Sequence, residues 1–117
     1  MKNERLEVGK EYLIKLMELS ALEINIMAEI LLVNKSVLVN IGVNEKFNSS
    51  ISGDIIAIFD IYTFGHEVFD NGSLFNKWMF VKNLALGNLT PIDFLKTHTG
   101  RQEVRNIIGR ISYGVYS

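Results

Sequence analysis

The chain has 117 residues, of which 48% are hydrophobic and 21% charged, so it can form one hydrophobic core but not two independently stable domains. Twelve basic and thirteen acidic side chains give a formal net charge of -1, which excludes a global positive field that would attract nucleic acid. The chain has no cysteine, which excludes disulfides, thiolate metal sites and a cysteine nucleophile.

The N-terminal sequence and the hydropathy pattern bear on localisation. The first residues, MKNERLEVGKEY, are polar and of mixed charge, and they lack the apolar run of a secretory signal. No apolar stretch approaches the roughly 18 residues that indicate a membrane span. We therefore expect a cytoplasmic protein that does not interact with a membrane.

The first third of the chain has helical periodicity. Over Tyr12–Val33, apolar residues recur every three or four positions, which predicts one helix that could be interrupted near Ser20. Asn34 is a suitable N-cap for a second helix, Lys35–Ile41, and Gly42 would end that helix. Two helices joined by a tight turn resemble a helix-turn-helix.

The middle of the chain is harder to interpret. The stretch Val43–Ser52 is polar and predicts a connection, after which Ser52 would cap a third helix with Asp54 in its first turn. The segment Ile55–Phe69 contains IIAIFDIY, which is β-branched and aromatic enough for a buried strand. We prefer a helix, because the apolar residues share one helical face and no hairpin partner is nearby. The strand remains the alternative.

The last third contains clear signals for turns and helix starts. A turn at Asp70–Gly72 precedes a short helix, Ser73–Met79, that carries the single tryptophan. A further short helix begins at the TPID sequence of Thr90, and Thr99–Gln102 offers a capping box for the last helix. The apolar stripe of that helix consists of Val104, Ile107, Ile108, Ile111 and Val115. We expect an all-α fold, a compact bundle of five to seven short helices.

Residues suited to catalysis or metal binding are few. His66 and His98 are the only histidines, and their spacing does not place two metal ligands on one helical face. We interpret them as surface or helix-end residues. Glycines occur singly and form no phosphate-binding loop of the GxGxxG kind. We therefore expect that the protein is not an enzyme and that it has no catalytic residues, no metal and no cofactor.

DNA binding through the helix-turn-helix-like part would require basic residues on its second helix. The position of a recognition helix holds Asn44, Glu45, Lys46 and Phe47, with a single cation. Lys35 and Lys46 are the weak candidates for DNA contacts. We favour a scaffold that is kept for packing over one that reads DNA.

A group of basic and aromatic residues lies near the C-terminus. It comprises Arg101, Arg105, Arg110, Tyr113 and Tyr116, together with a terminal carboxylate at Ser117. Arg101 and Arg105 are four residues apart and should be neighbours on a helix surface. Gly114 should end the helix and leave Val115–Ser117 as a short tail that can enter a partner's cleft. The alternative is a solvated helix flank.

The segment Trp78–Ser117 resembles the toxin-binding domain of the Xre/MbcA/ParS antitoxins. One block is NLALG at Asn83–Gly87, and a second is formed by Thr90, Pro91, Asp93 and Leu95. The third block contains Thr97, Gly100, Val104, Ile108, Arg110, Ile111, Tyr113, Gly114, Val115 and Tyr116. Upstream, Leu31–Val43 and the helix from Ser52 can be aligned with the Xre-like helix-turn-helix of family members, but the arginine-rich recognition segment is shortened and nearly uncharged.

The resemblance implies a type II antitoxin whose partner is a RES-domain toxin, a relative of ADP-ribosyltransferases that attacks NAD or transfers ADP-ribose. It implies a helix-turn-helix-like dimerisation region at residues 1–70, through which a homodimer forms, and a toxin-binding domain at residues 71–117 that covers the NAD-binding cleft of the toxin. The implied toxin contacts are Arg101, Arg105, Arg110, Tyr113, Gly114, Val115, Tyr116 and Ser117. The alternatives are a DNA-binding autorepressor of its own operon and an orphan scaffolding module.

Overall fold

A computed structural model describes residues 6–114. These residues form helices and no β-strand, which confirms the all-α prediction and excludes the strand alternative for the middle segment. The α-helices are α1 Lys10–Ser20, α2 Ile24–Leu31, α3 Lys35–Val39, α4 Ser49–Phe69, α5 Gly72–Trp78 and α6 His98–Ser112, and the 3-10 helices are η1 Leu84–Leu86 and η2 Pro91–Lys96. None of these helices is both long and apolar enough to cross a membrane.

Contacts within the chain define two compact units, Met1–Ala57 and Ile58–Ser117, so the boundary falls inside α4. The buried apolar residues of the first unit include Val8, Leu13, Leu16, Leu22, Met27, Leu31, Leu38, Phe47 and Ile55. Those of the second include Ile58, Tyr62, Phe75, Met79, Leu86, Leu95, Val104, Ile107 and Ile108. The division by role at residues 70 and 71 stays a prediction.

The first helical segment is interrupted after Ser20, as the sequence suggested. Ala21 has a left-handed backbone conformation with φ of 60°, and its N–H donates to the carbonyl of Met17 at 2.8 Å. The buried Ser20 hydroxyl accepts from the N–H of Leu22, which supports the turn. The apolar pattern that predicted one helix therefore continues through two helices, α1 and α2.

The predicted start of the second helix at Lys35 is confirmed, but its predicted end at Ile41 was wrong. Helix α3 ends at Val39, and the N–H of Asn40 donates to the carbonyl of Ser36 at 2.9 Å to close its last turn. Gly42 therefore lies beyond the helix end. Asn34 occupies the N-cap position with extended backbone, but its side chain makes no capping hydrogen bond.

The predicted start of the third helix was also wrong. Helix α4 begins at Ser49, because the side-chain oxygen of Asn48 accepts from the N–H of Ile51 at 2.8 Å and so acts as the cap. Ser52 is buried inside the helix, where its hydroxyl donates to the carbonyl of Phe47 and accepts from the N–H of Val8 at 3.0 Å. Ser52 thus anchors the segment before α1, and an acidic residue is not present in the first turn of α4.

No helix is present at residues 44–47, the position considered for a recognition helix. Phe47 is buried, and its N–H donates to the carbonyl of Val8 at 2.9 Å. Lys46 forms an isolated antiparallel bridge with Gly9. This connection is therefore a packed loop of the first unit.

An aromatic cluster organises the beginning of the second unit. Its members are Tyr62, His66, Phe69, Phe75 and Trp78, with ring centroids 5.1 to 6.4 Å apart in the recorded pairs. Gly65 makes this packing possible, because a Cβ there would overlap the ring of Phe75. Helix α5 begins one residue earlier than predicted, and the side-chain oxygen of Asn71 caps it by accepting from the N–H of Leu74 at 3.0 Å.

The predicted start of the short helix at Thr90 and Pro91 is confirmed, because Thr90 is the N-cap residue of η2, whereas the predicted cap of the last helix was wrong. The Thr90 hydroxyl donates to the carboxylate of Asp93 at 2.7 Å and accepts no capping hydrogen bond from the backbone, and the helix that follows is η2, a 3-10 helix. Helix α6 begins at His98, because Thr97 has the extended backbone of an N-cap and its hydroxyl accepts from the N–H of Gly100 at 2.9 Å. The predicted capping box at Thr99 was therefore wrong, since the helix has already started there.

Candidate functional site

Helix α6 buries one face and exposes the other. Val104, Ile107 and Ile108 are buried and Ile111 is half-buried, which confirms the predicted apolar stripe over this range. Val115, the last predicted member of that stripe, lies outside the described residues. The opposite face carries Arg105 and Arg110, both exposed.

Arg101 is at the buried end of the helix. Its residue surface is 9% exposed, and its Nη1 donates to the carbonyl of Leu95 in η2 at 3.0 Å. A hydrogen bond from a charged group stabilises a fold more than a neutral one. Arg101 therefore joins α6 to η2. Although it is four residues from Arg105, the two guanidinium groups have different environments.

Arg105 lies on the exposed face and contacts an aromatic ring of α4. Its guanidinium carbon is 4.8 Å from the centroid of the Phe64 ring, which is the geometry of a cation–π contact. Arg110 is in the last turn of α6, where a positive charge interacts favourably with the helix dipole. Both cations are therefore at the surface, Arg105 in the middle of the helix and Arg110 in its last turn.

The helix ends next to an exposed aromatic residue. Tyr113 follows the last residue of α6 and is 85% exposed, and its N–H donates to the carbonyl oxygens of Gly109 and Arg110 at 3.2 Å. Gly114 has a φ of 65°, a left-handed conformation that favours glycine. The prediction that glycine 114 marks the end of the helix is confirmed. Val115, Tyr116 and Ser117 lie outside the described residues.

A groove lies between α4 and the end of α6. It is open, has a volume of about 440 Å³, and is lined by Phe64, Glu67, Val68, Ile111, Ser112 and Gly114. We call it the α4–α6 groove. The sequence did not predict that α4 forms one side of this groove, although Phe64 and Val68 are four residues apart and would share a helical face. Which helix faces them cannot be read from periodicity.

The two histidines have separate environments, and the buried Tyr62 belongs to the same aromatic cluster as His66. His98 is exposed at the start of α6, as expected for a helix-end residue, whereas His66 is half-buried with its Nε2 2.9 Å from the side-chain oxygen of Asn76. Tyr62 is fully buried, and its hydroxyl has no hydrogen-bond partner within residues 6–114. Burial raises the pKa of Tyr62 above its ordinary value. The same described range contains no group of three histidine or acidic side chains that could hold a metal ion.

The two lysines considered for DNA contacts lie on different elements. Lys35 is the exposed first residue of α3, and Lys46 is exposed in the loop before α4. Neither stands on a helix of the length that reads a DNA groove, because α3 has five residues and Lys46 is outside any helix.

Comparison with known protein families finds a match in the second part of the chain. Residues 65–114 match the family described as the antitoxin Xre/MbcA/ParS C-terminal toxin-binding domain. No curated protein matches the chain. The matched range begins in α4 and ends at Gly114, so it includes α6, the aromatic cluster from Gly65 onward and most of the groove lining. The resemblance predicted from the sequence is confirmed over residues 65–114, which are similar to the C-terminal toxin-binding domain of the Xre/MbcA/ParS antitoxins.

Proposed function

We propose that this protein is the antitoxin of a type II toxin–antitoxin system and neutralises a RES-domain toxin by covering its active site with the C-terminal segment. The observation that carries the proposal is the match of residues 65–114 to an antitoxin toxin-binding domain. The RES class of the toxin is what the sequence resemblance implies. In this role the protein acts by binding and performs no chemistry itself.

The exposed end of α6 supports a role in occlusion. Tyr113 offers an aromatic ring directly beyond the helix, and the two exposed arginines before it offer guanidinium groups. A cleft built for a dinucleotide accepts a flat ring, and acidic residues in it would pair with guanidinium groups. We therefore propose as toxin contacts Arg105, Arg110, Tyr113, Gly114, Val115, Tyr116 and Ser117. Arg101 is assigned to the fold instead, because its Nη1 is used within the domain.

Removal of the segment Tyr113–Ser117 tests the proposal. We expect the truncated protein to lose neutralisation of the toxin in a co-expression growth assay, while its thermal unfolding midpoint changes little because the deleted residues follow the last helix. Tyr113→Ala should reproduce part of this loss. The matched control is Phe80→Ala, since Phe80 is also an exposed aromatic residue of the second unit and is not a proposed contact. Growth rescue by the truncated protein would show that the segment is not the inhibitor.

We also propose that the first unit forms a homodimer, as the resemblance implies. Exposed apolar side chains on the N-terminal helices and at the C-cap of α2 support this, namely Ile14, Leu32, Val37 and Val39. Light scattering coupled to size-exclusion chromatography would measure the mass, and a Val37→Glu variant should reduce it to that of one chain. A wild-type mass of one chain at micromolar concentration would refute the dimer.

A further inference from the structure

Resting on the proposed function, we infer that the α4–α6 groove is part of the toxin-binding surface. It takes an apolar side chain of the toxin, and a carboxylate of the toxin next to that side chain pairs with Arg105. The contact surface is then broader than the C-terminal segment and includes a helix that precedes it in the sequence by more than forty residues.

The lining of the groove fits an apolar side chain. Phe64 and Val68 form the α4 wall, and Ile111 forms the α6 wall. The volume of about 440 Å³ is within the range of roughly 300–1,000 Å³ that is common for binding clefts. Because the groove is open, it suits a side chain that protrudes from a partner surface better than an enclosed small molecule.

The position of the groove next to the C-terminal segment argues for the toxin as its occupant. Ser112 and Gly114 line the groove and flank the exposed Tyr113, so the proposed inhibitory segment starts at the groove itself. The residues Val115–Ser117 span at most about 10 Å when extended. A toxin that contacts these residues must therefore lie over or beside the groove.

The family match supports the same occupant. The toxin-binding domain begins at residue 65, within α4, and so includes Glu67 and Val68 as well as the end of α6. These two elements meet at the groove. A second copy of the chain is the competing occupant, and the experiment below separates the two.

Charge determines which side of the groove faces an acidic group. The guanidinium carbon of Arg105 lies over the ring of Phe64, a groove residue, at 4.8 Å from its centroid, and the N–H groups of an exposed guanidinium can also bind a carboxylate in a bidentate manner. Glu67 lies in the groove lining and would repel a carboxylate inside it. The acidic group of the toxin is therefore expected at Arg105, and the apolar side chain inside.

A substitution that fills the groove tests this inference with the C-terminal segment intact. Ser112 is exposed and lines the groove, so Ser112→Trp should occupy it and weaken toxin binding at least about ten-fold. The matched control is Gln102→Trp, an exposed position on the same helix, which should bind as the wild type does. Binding would be measured by isothermal titration calorimetry with a catalytically inactive variant of a RES-domain toxin that the wild-type protein neutralises in the growth assay, and circular dichroism would verify that both variants fold.

A charge reversal tests the second half of the inference. Arg105→Glu should weaken binding at least about ten-fold, and Arg105→Lys should weaken it less, because lysine keeps the charge but not the bidentate geometry. Lys96→Glu is the control, since Lys96 is exposed in η2 and undergoes the same change of charge.

The outcomes distinguish this inference from the proposed function. If Ser112→Trp binds as tightly as the wild type while removal of Tyr113–Ser117 abolishes binding, the inference is overturned and the proposed function stands. If Ser112→Trp changes the mass of the free protein but not its affinity for toxin, the groove joins copies of this chain, and the inference is likewise overturned. If the wild-type protein binds no RES-domain toxin, both are overturned.

Discussion

The two ends of α6 carry similar residues, but the start of the helix is buried and its end is exposed. At its start, Gly100 and Arg101 are buried against η2, and the arginine donates to a backbone carbonyl. At its end, Tyr113 is exposed and Gly114 has a left-handed conformation that a helix cannot continue. Charge and spacing alone do not distinguish these ends. The packing of η2 against the first turns of α6 makes the start part of the fold, whereas the end of the helix is exposed.

The largest expected effect is a charge in the buried stripe. Val104→Glu would place a carboxylate at a fully buried position, and the loss of stability should be about 4 kcal/mol or more, enough to unfold the second unit. Circular dichroism and urea unfolding would measure this loss. Glu103→Val is the matched control, because Glu103 is adjacent but exposed, and its stability should stay within about 0.5 kcal/mol of the wild type. A cooperative native-like unfolding transition of the Val104→Glu protein would contradict the buried assignment.

The second prediction compares two glycines of the same helix. A Cβ at Gly100 would overlap the backbone carbonyl of Phe94, which cannot move without displacing η2, so Gly100→Ala should cost about 3 kcal/mol. Gly109 has open space around its Cβ position, and Gly109→Ala should stabilise the protein by about 1 kcal/mol, because alanine has the higher helix propensity. Thermal unfolding of both variants measures the difference. Equal effects would mean that the start of α6 is not packed as described.

The third prediction separates the two arginines. Arg101→Ala removes the donor to the Leu95 carbonyl and should lower the free energy of unfolding by about 2 kcal/mol. Arg105→Ala removes only an exposed cation–π contact and should lower it by less than about 1 kcal/mol. When both variants are folded, Arg105→Ala should weaken toxin binding more than Arg101→Ala does. Similar stabilities of the two variants would refute the division between a structural and a surface arginine.

The apolar pattern predicted the α-helical segments but not the short 3-10 helix η1, and two N-caps were predicted at the wrong residues. Ser52 and Thr99 are both good N-cap residues, yet Asn48 and Thr97 do the capping. The decisive contact for Ser52 is with Val8, 44 residues away, and local chemistry does not report such a contact. A helix start therefore depends on which of several suitable residues is free of tertiary contacts.

The candidate site was only partly predictable for the same reason. The blocks around Tyr113 and Gly114 identified the toxin-binding domain, because their residue types and order are specific. The burial of Arg101 depends on η2, whose 3-10 geometry brings the Leu95 carbonyl within 3.0 Å of the guanidinium. The groove requires knowing that α4 faces the end of α6. Pairings between separate helices carry no signal in a single sequence.

The smallest expected effect concerns a buried polar group that contrasts with Arg101. Arg101 has a carbonyl to bind, whereas the hydroxyl of Tyr62 is buried without a hydrogen-bond partner in the described part of the chain. Tyr62→Phe removes that hydroxyl while keeping the ring contacts with Phe75, so the free energy of unfolding should rise by about 1 kcal/mol. The control is Tyr113→Phe, at an exposed position, which should change stability by less than about 0.5 kcal/mol.

The same variant should also change the response to alkaline pH. Burial raises the pKa of Tyr62, so the folded protein keeps this proton at pH values at which the unfolded chain, with a tyrosine pKa of about 10, has lost it. The folded state then binds more protons than the unfolded state, and the free energy of unfolding must fall as pH rises above about 10. Tyr62→Phe should make this fall shallower in urea titrations between neutral and alkaline pH, and Tyr113→Phe should keep the wild-type slope because Tyr62 is still present. Identical slopes for the wild type and Tyr62→Phe would show that this hydroxyl is not buried in its neutral form.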